Sequence, residues 1–427
     1  METQTFKNRR ISLGERFSRT LFIIPSGTEA LRSHSVAYRF KVAGDFLYLT
    51  GLDIFSAYLV VIGKNSYLLS DRFQKEDVWD DGGQLTQEDR AQLGDIHYGS
   101  FSQLEEIVQS HINDFGRIAF PFGRDEKLDQ LLMSFVGYER RQRNRRSNVP
   151  LALCDSRTLV GTLRQIKTTE EIALMREAGQ RSSLVHRELM QESLAGRTER
   201  NVLTWIETRF AQNGMPWAAY DTIVGSGTRS TILHARGTDK IIQSGELVLI
   251  DAGGEWQNYC ADITRVAPVD KKFTSEQRDV YETVLTAQKN VLQAIRPGVT
   301  LPELHELALS SLIEGLAQKG FKQELVRENI KMLMPHSTSH WIGLDVHDPS
   351  SYYDDAGNPL RLEQGMCFTV EPGLYFRDKG GDFARYHGIG VRIEDDVVVT
   401  AQGAEILTSA PKEIEEVEEL RARIKTA

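Results

Sequence analysis

At 427 residues the chain is long enough for about two domains, each with its own core. Its 40% hydrophobic and 26% charged residues exclude a disordered chain, and a net charge of −9 argues against a polyanion such as nucleic acid as the main partner. Cys154, Cys260 and Cys367, odd in number and widely spaced, fit a reducing compartment rather than a disulfide framework, and each reads as an inert thiol.

The first ten residues lack the apolar core of a signal peptide, and no apolar run approaches the ~20 residues that span a bilayer, so a cytoplasmic protein without membrane contact is expected. Residues 1–160 mix helix and strand patterns and read as an α/β domain with no catalytic cluster. Ala57 to Gly63 and Ser66 to Ser70 predict a hairpin turning at Gly63-Lys64-Asn65. Leu104 to Ile112 has helical spacing, and Arg117 to Phe120 reads as a strand. The basic run Arg140 to Arg146 reads as a solvated helix end near a domain boundary.

From 161 to 427 the elements follow an order that repeats. Thr168, with Glu171 in the capping-box position, opens a helix to about Glu192, and Thr198 to Gln212 predicts a second, closed by Gly214. Strands carrying Asp251 and Asp262 follow. A helix from Thr274, with Gln277 at its box position, runs to Ile295, and another from Thr300, with Pro302 and Glu303 in its first turn, runs to Gly320. Strands carrying Glu371 and Glu394 come next. Two helices and an acidic strand pair, twice over, suggest duplicated halves around a central site.

Asp251 closes the apolar run Leu247 to Ile250 just before Gly253-Gly254, so its side chain can project from a strand end. By the two-residue period Asp262 shares a strand face with Thr264, and Arg392 shares one with Glu394. His336 and His340 follow Pro335 among Ser and Thr residues, which favours a loop or strand over a helix. Four acids and one histidine set into apolar strands need a compensating cation, because burying ionised carboxylates costs several kcal/mol or more each. One imidazole among four carboxylates leans toward Mn²⁺, with Zn²⁺, Co²⁺ and Fe²⁺ as the other ions such a set accepts, and two ions balance four carboxylates better than one.

Ile250 to Gly253, Asp262 to Arg265, Ser339 to Asp348, Val370 to Tyr375 and Gly388 to Asp395 closely resemble the aminopeptidase P (Xaa-Pro aminopeptidase) branch of the pita-bread metallopeptidases, which is close to prolidase. Ile166 to Arg176 is similar to the family's first catalytic helix, and Asp45 to Gly51 to its N-terminal domain. The resemblance implies an α+β chain: a creatinase-like α/β domain over residues 1–160, serving oligomerisation and narrowing of the cleft, then a pita-bread catalytic domain over 161–427 with duplicated αα-β halves.

It implies a dinuclear metal-dependent enzyme that releases the residue preceding proline from peptides, by attack of a metal-bridging hydroxide. Asp251 then chelates one metal, Asp262 and Glu394 bridge, and His340 and Glu371 bind the other. Glu371 also manages the proton of the attacking hydroxide, His347 donates to the developing oxyanion or peptide, His234 and His336 shape the proline side, and Tyr375 and Arg392 support the ligands. Homodimers or homotetramers are implied as well.

The chain departs from that pattern on the substrate side. Relatives carry an Asn shortly after the Ser-Gly of the segment that here reads Val224 to Thr231, in which Arg229 is unusual; Ala235 follows His234 in place of an aromatic residue, and Ser337 stands for a glycine. A prolidase limited to Xaa-Pro dipeptides is the alternative, with Arg229 facing the cleft as a carboxylate binder. A peptide-binding relative without catalysis and a metal-free creatinase-like hydrolase are disfavoured by the complete ligand set.

Overall fold

A computed structural model describes residues 3–74, 85–141 and 152–424. The basic run falls outside these beyond Arg141. The chain divides into two compact units, Met1–Arg164 and Gln165–Ala427.

In the first unit α1 (Thr3–Arg16) leads to β1 (Thr20–Pro25), α2 (Gly44–Thr50), β2 (Tyr58–Ile62), β3 (Asn65–Leu69), α3 (Gln87–Leu93), β4 (His97–Gly99), α4 (Leu104–Ser110), β5 (Arg117–Phe120), α5 (Glu126–Arg141), β6 (Ala152–Asp155) and α6 (Ser156–Arg164). Among the described residues the strands form one mixed sheet in the order β4-β3-β2-β1-β5-β6. Every residue of β1 and β2 is buried, which explains why they read as unbroken apolar runs rather than alternating ones. The expected hairpin is present, with Ile62 opposite Asn65 and Gly63 at φ 54°, a left-handed conformation suited to glycine at a two-residue turn.

The second unit opens with α7 (Thr169–Leu189) and α8 (Glu199–Gln212), followed by β7 (Ile223–Ser226), β8 (Leu247–Asp251), β9 (Glu255–Trp256), β10 (Tyr259–Cys260) and β11 (Thr264–Pro268). Then come α9 (Ser275–Ala294), α10 (Leu301–Gln318), α11 (Gln323–Leu333), β12 (Cys367–Val370), β13 (Gly373–Tyr375), β14 (Gly390–Arg392), β15 (Asp395–Val399), β16 (Ala404–Ile406) and α12 (Ile414–Ala422). Threonine caps α7, α8, α9 and α10, each in a reciprocal box with the residue three positions on. Helix α7 stops at Leu189, a turn short of the expected end.

Each half supplies an antiparallel three-stranded sheet, β11-β8-β7 and β12-β15-β16. The halves are not strict copies, because α11 intervenes before the second set of strands. Its apolar residues Val326, Ile330 and Leu333 recur at helical spacing and are buried in the core that also takes Leu249, Leu374, Val391 and Ile393. That core lies beneath the strand ends where the acidic residues emerge.

Glycine matters most at Gly253, where a Cβ would lie 1.7 Å from the Ala261 carbonyl oxygen. The backbones carrying Asp251 and Asp262 approach too closely there for any side chain. Gly253→Ala is therefore expected to destabilise this unit by about 1–3 kcal/mol, read as a lowered urea midpoint. An unchanged midpoint would show that the two segments part without cost.

Candidate metal centre

Each acid sits where a strand begins or ends. Asp251 is the last residue of β8, Glu371 lies between β12 and β13, and Glu394 lies between β14 and β15. Asp262 is not on the returning strand as its spacing suggested, since β11 starts at Thr264. Its backbone N–H donates instead to Asp396 Oδ2 at 2.9 Å, which takes it out of the ladder. Glu394 likewise follows β14 rather than extending it, although Val391 and Ile393 do point into the core as expected.

His340 lies in a loop, as its neighbours predicted, and Thr369 of β12 fixes that loop from both sides. His340 N donates to Thr369 Oγ1 at 3.1 Å and Thr369 N donates to His340 O at 3.0 Å. The imidazole Nδ1 lies 3.2 Å from Trp341 O, leaving Nε2 to face Asp262 Oδ2 at 3.4 Å and Glu371 Oε1 at 3.6 Å. Ligand atoms of Asp262, His340 and Glu394 lie within 4.8 Å of one another. Behind His347, a buried ion pair between Lys167 Nζ and Asp348 Oδ2 at 2.9 Å anchors the same loop.

A second layer orients the acids. Arg392 Nη2 pairs with Asp251 Oδ2, its Nε donates to Thr264 Oγ1 at 3.0 Å, and Thr264 passes its own proton to Glu394 Oε2 at 2.6 Å. Arg392 Nη1 donates to Tyr375 OH at 2.9 Å, and Tyr375 OH meets His336 Nε2 at 2.9 Å. His336 Nδ1 faces Ser337 O at 2.8 Å, so both ring nitrogens are engaged and His336 presents a wall rather than a free donor. His347 is exposed, its ring edge-on to His340 at 4.5 Å. His234 is exposed too, close enough for its charge to act on His336 and His347.

Beneath Glu394, buried Arg265 donates to the carbonyls of Thr264 and Glu394, to Asp395 Oδ1 at 2.6 Å and to Pro411 O at 3.0 Å. Asp395 is closed off by Lys412, Gln288 and Thr408.

Two contributors carry no local signal in the sequence. Tyr220, in the stretch before β7, donates toward Asp251 Oδ1 and Asp262 Oδ1, both at 2.6 Å, so one phenolic proton serves two carboxylates. His186, fully buried on α7, meets Ala252 O through Nε2 at 2.8 Å, and burial pushes it down to about 4, so it stands neutral behind Asp251. Neither has a recognisable spacing to the acids.

Arg229 corrects an expectation. It does not face the cleft as a carboxylate binder: its Nε donates to Glu199 Oε2 at 2.9 Å, and its Nη2 to Arg236 O. Ala235 is buried in the core, filling space that an aromatic ring would overpack. Cys260 and Cys367 are buried free thiols, and burial pushes Cys367 up to about 12, so the inert reading stands for both.

The charge balance has a consequence. Burial pushes the Glu371 carboxyl up to about 7 against the pull of His340 and Arg392, and it drives Glu394 well above its usual range with help from Asp262 and Glu371. Burial also resists charge on His340, but the hydrogen bond to Asp262 and the Glu371 carboxylate outweigh it and lift the imidazole to about 9. Without added cations the cluster therefore holds protons. Oxygen donors that burial forces toward neutrality, converging with one available imidazole nitrogen, suit divalent metal ions, which compensate the charge that the protons otherwise cancel.

The model for metallopeptidase family M24 matches residues 173–401. The chain belongs to metallopeptidase family M24. The M24 segment is preceded by a match to the aminopeptidase P N-terminal domain over residues 6–118. The Xaa-Pro aminopeptidase of Escherichia coli is 34% identical over 98% of this chain and 97% of its own length. A human Xaa-Pro dipeptidase is 36% identical over 60% of this chain and 59% of its own. A zinc-substituted Escherichia coli aminopeptidase P in complex with product superposes with a TM-score of 0.91 at 32% identity, covering 100% of both chains. The second unit thus has the pita-bread fold of the M24 enzymes, and the chain is a metallopeptidase.

As metal ligands His340 would have to be neutral and Glu371 ionised, whereas the metal-free groups protonate below about 9 and about 7 respectively. Metal uptake at neutral pH is thus expected to release protons, and affinity to climb as pH rises from about 7 toward about 9. Titration calorimetry in buffers of different ionisation enthalpy measures both; identical heats in all buffers would contradict this charge assignment.

Proposed function

We propose that the chain is an Xaa-Pro aminopeptidase, hydrolysing the bond between an N-terminal residue and a following proline in peptides. The supporting observation is the convergence of Asp251, Asp262, His340, Glu371 and Glu394 in a protein similar along its whole length to an Xaa-Pro aminopeptidase. These five would hold two divalent ions, with Mn²⁺ favoured because oxygen donors outnumber the single imidazole. The ions supply a Lewis acid and lower the pKa of water toward neutrality. Three free cysteines, two of them buried, support a cytoplasmic setting.

The remaining chemistry belongs to the chain. Glu371 lies between His340 and His336, with Oε1 3.6 Å from one ring and Oε2 3.7 Å from the other, which supports its reading as the proton acceptor of the reaction. Burial pushes His336 down to about 4, so it enters neutral and does not repel a peptide's terminal ammonium. Partial burial holds His347 low, and as a neutral imidazole it would supply an N–H to the developing oxyanion. Arg392 opposes the burial that raises the Asp251 carboxyl and, through Thr264, orients Glu394. A proline amide has no N–H and a fixed φ, so peptidases that pair with an extended backbone fail on it and a wall of side chains such as His336 must select it instead.

Hydrolysis of Xaa-Pro, Xaa-Pro-Xaa and Xaa-Ala-Xaa peptides by metal-stripped protein, with and without Mn²⁺, tests this reading. Cleavage of the proline tripeptide on adding metal, with the alanine peptide untouched, is expected. Cleavage of Xaa-Pro alone would make the protein a prolidase, and no turnover with any divalent ion would leave only peptide binding. Glu371→Gln is expected to lower kcat by roughly 100-fold or more.

A further inference from the structure

The segment from Ser226 to Thr238 leaves β7, passes through the tight turn Gly227–Thr231, carries Ile232, Leu233 and His234, and returns along β7. Its return is fixed by a bridge between Ile223 and Arg236 and by Val224 N donating to Ala235 O at 3.0 Å. Both stems converge on one carboxylate. Glu199, fully buried at the start of α8, accepts from Ser226 N and Oγ at 2.9 Å on the outgoing stem, and from Thr238 Oγ1 at 2.7 Å and N at 3.2 Å on the returning one. Arg229 spans the loop between them. Its Nε reaches the two Glu199 oxygens at 2.9 and 3.1 Å, while its Nη2 donates to Arg236 O at 2.8 Å.

The far side of this loop rests on the strand that carries Arg392. Gly390 N donates to Ser230 Oγ at 2.9 Å, and a Cβ at Gly390 would lie 2.1 Å from Ser230 O. The loop is therefore held at one end by a buried carboxylate and at the other by close backbone contact with β14. Between these supports it carries His234, whose charge acts on His336 and His347. A carboxylate with no exposed surface, receiving donors from both stems, is a stiff anchor, and a guanidinium that meets Glu199 and a carbonyl at once fixes the width of the loop.

We infer that Glu199 and Arg229 form a clamp that sets the reach of His234 over the peptide-binding side of the centre, making Arg229 a positioning residue for the cleavage. The inference rests on the proposed peptidase reading for its kinetic consequence, but not for the clamp itself. Lysine does not replace the guanidinium, because a single ammonium lacks the planar fork that faces both acceptors.

The test compares Arg229→Ala, Arg229→Lys, His234→Ala and Arg229→Ala/His234→Ala, each checked for metal content. With the wild-type His234 present, Arg229→Ala is expected to lower kcat/KM on a proline tripeptide by about tenfold to hundredfold. In the His234→Ala background the same change is expected to cost about twofold or less, since both act through one imidazole. Equal losses in the two backgrounds would overturn the clamp's role in catalysis. A measurement without substrate separates this from the peptidase reading: amide hydrogen exchange across residues 227–237 should rise in Arg229→Ala and Arg229→Lys and stay unchanged in α7 and α9. Unaltered exchange in that loop would overturn the clamp even in an active enzyme, whereas raised exchange in a protein that cleaves no peptide would overturn only the functional reading.

Discussion

Four carboxylates that meet at the ends of buried strands cannot all be ionised without positive charge among them, and much of the second unit is arranged around that constraint. Arg392 supplies part of the charge from the protein itself, joined in the metal-free chain by protonated His340. The remainder is carried by protons in the metal-free chain and by divalent ions in the enzyme. The same low-dielectric surroundings that make unpaired carboxylates costly make their joint attraction for a metal strong. Stability and function are therefore opposed at this site: the arrangement that best holds metal is a poor one for an empty protein.

The neutral groups around the acids share a direction. From Arg392 to the Ser337 carbonyl the roles run one way: the guanidinium only donates, so Tyr375 OH accepts from it and donates to His336 Nε2, and Nδ1 carries the proton that the Ser337 carbonyl accepts, which fixes the histidine tautomer. On the other branch, Thr264 transmits the position of Arg392 to Glu394. Arg392 is thus a hub between the ligand side and the substrate side. Its planar fork touches Asp251, Thr264 and Tyr375 at once, a geometry for which lysine offers no equivalent.

Much of this was legible in the sequence, for definite reasons. Helices α7, α9 and α10 announce themselves by threonine boxes, and the hairpin of β2 and β3 by a glycine turn between apolar runs, because caps and turns are local chemistry. The acids stood out because a carboxylate at the end of an apolar run is costly without a purpose. Less visible were relations that only folding creates. Tyr220 lies 31 residues before Asp251 and 42 before Asp262, yet it donates to both. Chemistry alone makes Arg229 a carboxylate binder for the substrate, whereas the fold sets it against Glu199, 30 residues earlier. The two-residue period says nothing about where a ladder stops: at Asp262 the N–H goes to the Asp396 side chain, and at Glu394 it goes to Thr264 O on β11 rather than to the partner of β14.

The distribution of the ligands along the chain bears on how the protein is made. Asp251 and Glu394 are separated by most of the second unit, and Arg265, which holds the backbone of Glu394, is itself fastened to carbonyls at Ala410 and Pro411. During synthesis the centre cannot close until nearly the whole chain has left the ribosome, since its loop-closing contacts join early strands to the last ones. Metal capture is then a late event, and a nascent chain cut short before Pro411 would carry all five candidate ligands without the frame that brings them together.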